Sequence, residues 1–257
     1  MIFLAAALRA AAPVEANDDL LEHVIVTATR RSVDMTEVAA AISTVDSETV
    51  ISHKLATDAL QSLPGVYLQQ TTPGQGAAIV RGLKGSAILH LVDGMRLSNA
   101  MFRTAPTPWF ALVPATSVER LEIIRGTPAS LYGSEAVGGV VQSVSRMPQF
   151  DSEEISYKRD LIVGFDTAEL QQSIRATLDF GTQRLAASVS AEYLETGDRR
   201  TGGGERIGPS GYTSKALRTV VHGTPNDYRS WFVDLQFLEQ PKTPRVDELV
   251  AGFGQDE

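Results

Sequence analysis

Met101, Phe102, Arg103, Trp109 and Phe110 crowd one polar-flanked stretch, residues 98–110. Rings offer stacking area and a guanidinium offers charge and donors, a mixture suited to a large, partly planar ligand such as a metal chelate. The same side chains also suit packing of a loop base, the commoner use of Trp and Phe. Arg81 and Arg125 each precede a glycine at a strand end, and Glu119 and Glu122 share a strand with Arg125. Charges so placed either alternate along a solvated strand or form buried ion pairs that are costly to break singly. His23, His53, His90 and His222 sit in unrelated segments without a second ligand at metal spacing, so no metal site is expected. Residues 133–139 are glycine-rich but lack the GK[ST] ending of a phosphate loop and read as turns. With no nucleophile–base pair, carboxylate pair or cofactor loop, neither an enzyme nor a resident cofactor is expected.

Composition narrows the field further. A net charge of −8 over 257 residues argues against nucleic acid as a partner, since phosphate binding needs basic patches. Cysteine is absent, which removes disulfides and thiolate chemistry. No run approaches the roughly 20 apolar residues of a membrane-spanning helix, so any contact with a bilayer must use alternating β-strands. Residues 1–16, MIFLAAALRAAAPVEA, read as a signal peptide cleaved after Ala16, although Arg9 interrupts the apolar run and no basic residue precedes it.

The elements that must position these side chains fall into three zones. Residues 17–36 are polar apart from one β-prone run, and are expected to be extended or poorly packed. Residues 37–150 mix strands and short helices into a small α+β domain. Strands are expected at 41–45, 79–81, 86–92, 95–97, 118–125 and 140–145. Asp46 or Ser47 and Thr57 are candidate helix caps, Asp93-Gly94 a hairpin turn, and Thr127-Pro128 a helix start that Gly133 ends. Residues 151–257 change to period-2 strands at 155–165, 171–180, 184–194, 215–221 and 228–238, joined by connections alternately tight and longer. In the third of these, Ser188, Ser190 and Glu192 face opposite to Ala187, Val189, Ala191 and Tyr193, which suits one wet and one lipid-facing side.

Four segments in order then resemble one family. Glu22, His23, Val24, Ile25, Val26, Thr27, Ala28 and Thr29 resemble a TonB box. Ile79-Val-Arg-Gly-Leu83 with the run from Ile88 to Leu97, then Val118-Glu-Arg-Leu-Glu-Ile-Ile-Arg-Gly126, then Leu131-Tyr-Gly-Ser-Glu-Ala-Val-Gly-Gly-Val140, resemble plug motifs of the TonB-dependent outer-membrane receptors. The resemblance implies an α+β plug domain followed by antiparallel strands of a transmembrane β-barrel of ~22 strands. At roughly 10 residues a strand, the residues after 150 supply only about five, so the barrel is expected to be incomplete. It also implies outer-membrane localisation and contact with lipid through the complete barrel. The partners implied are TonB, which would add the box as a strand to its own sheet edge, and a small-molecule ligand: a metal chelate, a cobalamin-like cofactor or another scarce nutrient. By the same resemblance Arg81, Glu119, Glu122 and Arg125 hold the plug to the barrel wall. The outward plug loops would contact ligand, with Gln69, Gln70, Met101, Phe102, Arg103 and Trp109 as candidates. A second reading is a free periplasmic plug that binds TonB without transporting.

Overall fold

The computed structural model describes residues 6–7, 25–26, 33–34, 40–70, 72–97, 108–133, 135–226 and 229–241. Within residues 40–145 the strands are β1 (Ala41–Asp46), β2 (Val66–Gln69), β3 (Ala77–Val80), β4 (Ile88–Val92), β5 (Met95–Arg96), β6 (Val118–Arg125) and β7 (Gly139–Ser145). Five of them form a mixed sheet in the order β1-β6-β7-β4-β5, in which only β7 and β4 run parallel. β2 and β3 form a separate antiparallel pair.

This sheet is covered on both faces, so its central strands β4, β6 and β7 are buried along most of their length. Leu121 and Ile123 of β6 join Val50, Leu60, Val80, Ile88, Phe110 and Val141 on one face. Ile124, Leu89, Leu91, Tyr132 and Val140 pack on the other. Asp46 caps α1 (Ser47–Ser52), its carboxylate accepting from the Thr49 amide at 2.7 Å. A 3-10 helix follows over Ala56–Ser62 with Leu55, not Thr57, at the capping position. Thr57 lies inside the turn and is buried, while the Asp58 carboxylate accepts from the Leu55 amide at 3.3 Å. Asp93 and Gly94 both take positive φ, 49° and 76°, as the tight β4–β5 turn requires. α2 (Ala129–Tyr132) ends at Gly133. The strand expected at 86–92 starts at Ile88, after a 3-10 turn over Gly85–Ala87, and other details differ as well. β3 stops at Val80 because Arg81 turns to φ 49°. β2 forms directly after the Pro64-Gly65 stop, where no strand was expected.

From Ser156 the chain builds an antiparallel wall: β8 (Ser156–Asp166), β9 (Gln171–Gly181), β10 (Leu185–Thr196), β11 (Tyr212–Asn226) and β12 (Arg229–Glu239), neighbours in that order. Ala6–Ala7 pairs with Ile162 and Val163 on the free side of β8. Register sorts the side chains cleanly. One continuous row reads Leu161, Ala176, Ala191, Leu217, Phe237, and another on the same face reads Tyr157, Phe180, Ala187, Val221, Val233. The larger members of these rows are exposed. The rows of opposite parity carry Ser173, Arg175, Asp179, Ser188, Ser190 and Arg218, all buried. The polar face is buried because the mixed-sheet domain sits on it. The exposed face is apolar, the pattern of a barrel wall and not of a soluble sheet.

The two ends of the wall differ as well. β9 and β10 are joined by a tight turn, and at the same end Asn226 of β11 pairs with Arg229 of β12. β8–β9 and, at greater length, β10–β11 are joined at the other end, where Arg199–Arg200 pairs with Arg206–Ile207 inside the long connection. Short turns mark the periplasmic end of such walls and longer loops the outer end.

Candidate functional site

The domain is seated on the wall by arginines that grow from wall strands. Arg175 of β9 is 4% exposed and donates to the carbonyls of Ile51 at 2.8 Å and His53 at 2.9 Å, at the C-terminal end of α1. Its Nε lies 3.4 Å from a Glu192 oxygen on β10, so the guanidinium is both charge-paired and bonded to backbone. Toward the tight-turn end, Arg146 leaves β7 and pairs with both oxygens of buried Asp179. Arg218 of β11 binds the Asp234 carboxylate, 2.6 Å at its shortest, and donates to the Arg146 carbonyl at 2.9 Å. The Ser152 carbonyl accepts from the Gln183 amide in the β9–β10 turn, fixing the crossing from domain to wall. Between the domain and the first two wall strands lies a cavity of about 450 Å³, lined in part by Glu48, Thr116, Arg146, Asp160 and Thr177.

A second cluster occupies the long-connection end. Lys54 binds Glu169 at 2.7 Å, and Glu169 lies in the β8–β9 connection. Arg199, in the β10–β11 connection, lies 3.6 Å from the other Glu169 oxygen and donates to Gln70 at 2.9 Å. Gln70 in turn donates to Asp58 at 2.8 Å. Burial of Asp58 holds its carboxyl above the ordinary 3.8, against the amide of Leu55 and the charges of His53, Lys54 and Arg199. Asp198 organises the connection itself, its Oδ1 accepting from the amides of Ser210 at 2.7 Å and Gly211 at 2.9 Å.

The residues singled out in sequence lie as follows. Ile25 and Val26 are extended and pair with Asp34 and Val33. Glu22, His23, Val24, Thr27 and Ala28 fall outside the described residues, as do Met101, Phe102 and Arg103. Trp109 lies in a 3-10 helix, Pro108–Leu112, whose Phe110 packs 5.5 Å from the His90 ring in the core. Gln69 ends β2, and Gln70 is in the outer-end cluster. Arg81 is exposed. Arg125 donates to Ser43 Oγ at 2.9 Å within the domain, and Arg120 binds both Glu119 and buried Glu122. Arg125 and Glu119 thus make contacts inside the domain. The wall is reached instead by Arg146, Arg175, Arg199, Arg218 and Lys54, which sequence reasoning did not single out. Alternation marks Arg175 and Arg218 as facing the polar side, but nothing local marks them as anchors.

Residues 34–140 match the family model of the TonB-dependent Receptor Plug Domain. The chain carries the plug domain of the TonB-dependent receptors. Curated relatives of this chain include the "Vitamin B12 transporter BtuB" of Vibrio vulnificus (strain YJ016), 31% identical over 72% of this chain and 31% of the relative. The "Iron-regulated outer membrane virulence protein" of Vibrio cholerae serotype O1 is 36% identical over 50% of this chain and 20% of the relative. The chain spans about a fifth to a third of the length of such relatives. Among solved structures, "Copper transporter OprC" superposes with a TM-score of 0.65 at 17% identity, covering 76% of this chain and 30% of that one. A ferric enterobactin receptor (PfeA) double mutant from Pseudomonas aeruginosa superposes at 0.60 with 22% identity, covering 84% and 34%. At these identities the structural matches speak for the fold: an α+β plug followed by antiparallel barrel strands. The names of these relatives are those of transporters and receptors, not of enzymes.

Proposed function

We propose that the receptor to which this chain belongs sits in the outer membrane and imports a scarce nutrient by energy coupled through TonB. A cobalamin-like cofactor or a metal chelate such as a ferric siderophore is the substrate class that the relatives' names support. The observation that carries the reading is the amphipathic wall. Its polar face is filled by the plug and its apolar face, including Leu161, Ile174, Leu217 and Phe237, is exposed. A plug in a lumen has this environment, and a free periplasmic module would gain nothing from such strands.

In this reading residues 22–28 are the strand that TonB takes up, supported by the extended backbone at Ile25–Val26. Their two-residue pairing with Val33–Asp34 is too short to be stable alone, so a longer partner strand replaces it readily. Residues 98–109, with Met101, Phe102, Arg103 and Trp109, remain the ligand-facing loop, while Phe110 belongs to the core. Arg81 and Arg125 serve as lock residues toward wall other than β8–β12.

The test is uptake of labelled cyanocobalamin and of ferric enterobactin by cells carrying the full-length gene product. Uptake of at least one that collapses when the proton-motive force is dissipated supports the reading. Equal, unenergised entry of both, or entry of neither, contradicts it.

A further inference from the structure

The geometry points to a latch at the outer end of the lumen, in which Arg199 ties the β10–β11 connection to the plug through Gln70 and Asp58. The chain of contacts is continuous. The Arg199 guanidinium donates to Gln70 Oε1, and the Gln70 amide nitrogen donates to Asp58 Oδ1. Asp58 holds the start of the Ala56–Ser62 turn through the Leu55 amide. That turn is core, since Ala56, Ala59 and Leu60 are fully buried. A displacement of Arg199 is therefore delivered to the plug interior, not dissipated at its surface.

Two observations make this contact decisive. First, several polar groups near it bond poorly. Thr57 Oγ1, Gln69 Oε1 and Gln171 Oε1 are buried without a hydrogen-bond partner among the described residues. The plug's outer seat thus depends on a few charge-assisted bonds, which are the stronger kind. Second, Arg199 is shared. Glu169 of the β8–β9 connection lies 3.6 Å from its Nε and is itself bound by Lys54 of the plug, and the Gly197 amide donates to the Glu169 carbonyl at 2.8 Å. Both outer connections and the plug meet at this side chain, which is only partly exposed. A group that draws either connection outward lengthens the Arg199–Gln70 contact and frees Gln70.

Gly74 adds a register stop to the same seat. It takes φ +76°, its carbonyl accepts from Gln240 at 3.3 Å, and a Cβ placed there would lie 2.7 Å from the Tyr212 ring. The plug segment after Gln70 is thus held against the wall rather than free to grip ligand. Its part is to report the position of the connections.

The latch deepens the uptake reading by naming a device that links the outer connections to the plug, and its purpose rests on that reading. Its test does not need transport. Amide hydrogen exchange is measured on the full-length product in outer-membrane vesicles, for Arg199→Ala, Gln70→Ala, the double variant, and Arg200→Ala as the neighbouring control. The latch predicts exchange at least tenfold faster across 56–62 in both single variants. The double variant should be no faster than either single, and the control unchanged. Unaltered exchange in Arg199→Ala, effects that multiply in the double variant, or an equal effect of Arg200→Ala each overturns it. If Gln70→Ala fails to assemble, Gln70→Glu serves: a carboxylate facing Asp58 should raise exchange there, and no rise counts against the latch.

Discussion

The Arg175 guanidinium crosses from the second wall strand into the plug and donates to the Ile51 carbonyl at 2.8 Å. That single side chain joins a barrel strand to the backbone that ends α1, across more than a hundred residues of sequence. Replacing Arg175 with Ala leaves the Ile51 and His53 carbonyls without this donor and the Glu192 carboxylate without its ion-pair partner. Breaking one side of a buried charge pair costs on the order of 3–5 kcal/mol. The urea midpoint for plug release should fall accordingly, and Arg175→Ala with Glu192→Gln should recover part of the loss. A midpoint within error of the parent would show that the plug is not anchored there.

Asp46→Ala should cost about 1 kcal/mol, the usual value of a lost helix cap. The Thr49 amide holds the Asp46 carboxyl below its ordinary 3.8. A depressed carboxyl contributes stability that is present above its unfolded value and is lost as pH falls through the folded one. The gap between parent and variant should therefore close below pH 3.8, checked by denaturant titrations at several pH values.

His90 makes the plug acid-sensitive over a different window. Burial pushes its pKa from 6.5 down to about 4, so the folded plug keeps it neutral where the unfolded chain is protonated. The unfolded state binds the extra proton, and stability falls as pH drops from 6.5 toward 4, by up to about 1.4 kcal/mol per pH unit. Asp58, raised by burial, works the other way and favours the folded state as pH falls toward 3.8. His90→Gln should flatten the 6.5-to-4 slope, and an unchanged slope would mean that other groups set it.

Leu217 lies mid-strand on the apolar face, half exposed, in the row shared with Leu161 and Phe237. If that row lies near the bilayer midplane, Leu217→Arg should destabilise membrane assembly by ~2–4 kcal/mol. Ser190→Ala, on the polar face, should change it far less. Equal effects would show that the exposed face does not meet lipid.

The segments 79–97, 118–126 and 131–140 were legible because their chemistry is local: a turn that needs Asp-Gly, a strand that needs apolar residues, a helix that glycine ends. The wall was legible because alternation is a period within one strand. The seat of the plug was not. Arg146 meets Asp179, Arg175 meets Ile51 and Arg199 meets Gln70, pairs 33, 124 and 129 residues apart. No spacing rule reaches that far, and Gln70 read as a ligand residue because a loop glutamine carries no sign of its partner.

Energy-coupled uptake through the strand at residues 22–28 is the central claim, and Val26→Pro tests it most directly. Proline removes the Val26 amide and fixes φ, which blocks strand addition without touching the plug core. Binding and uptake of labelled cyanocobalamin and ferric enterobactin are measured side by side in cells carrying the full-length product. For whichever is transported, surface binding should stay within twofold of the parent while energised uptake falls at least tenfold. Uptake that survives the substitution at parental rate would contradict the claim.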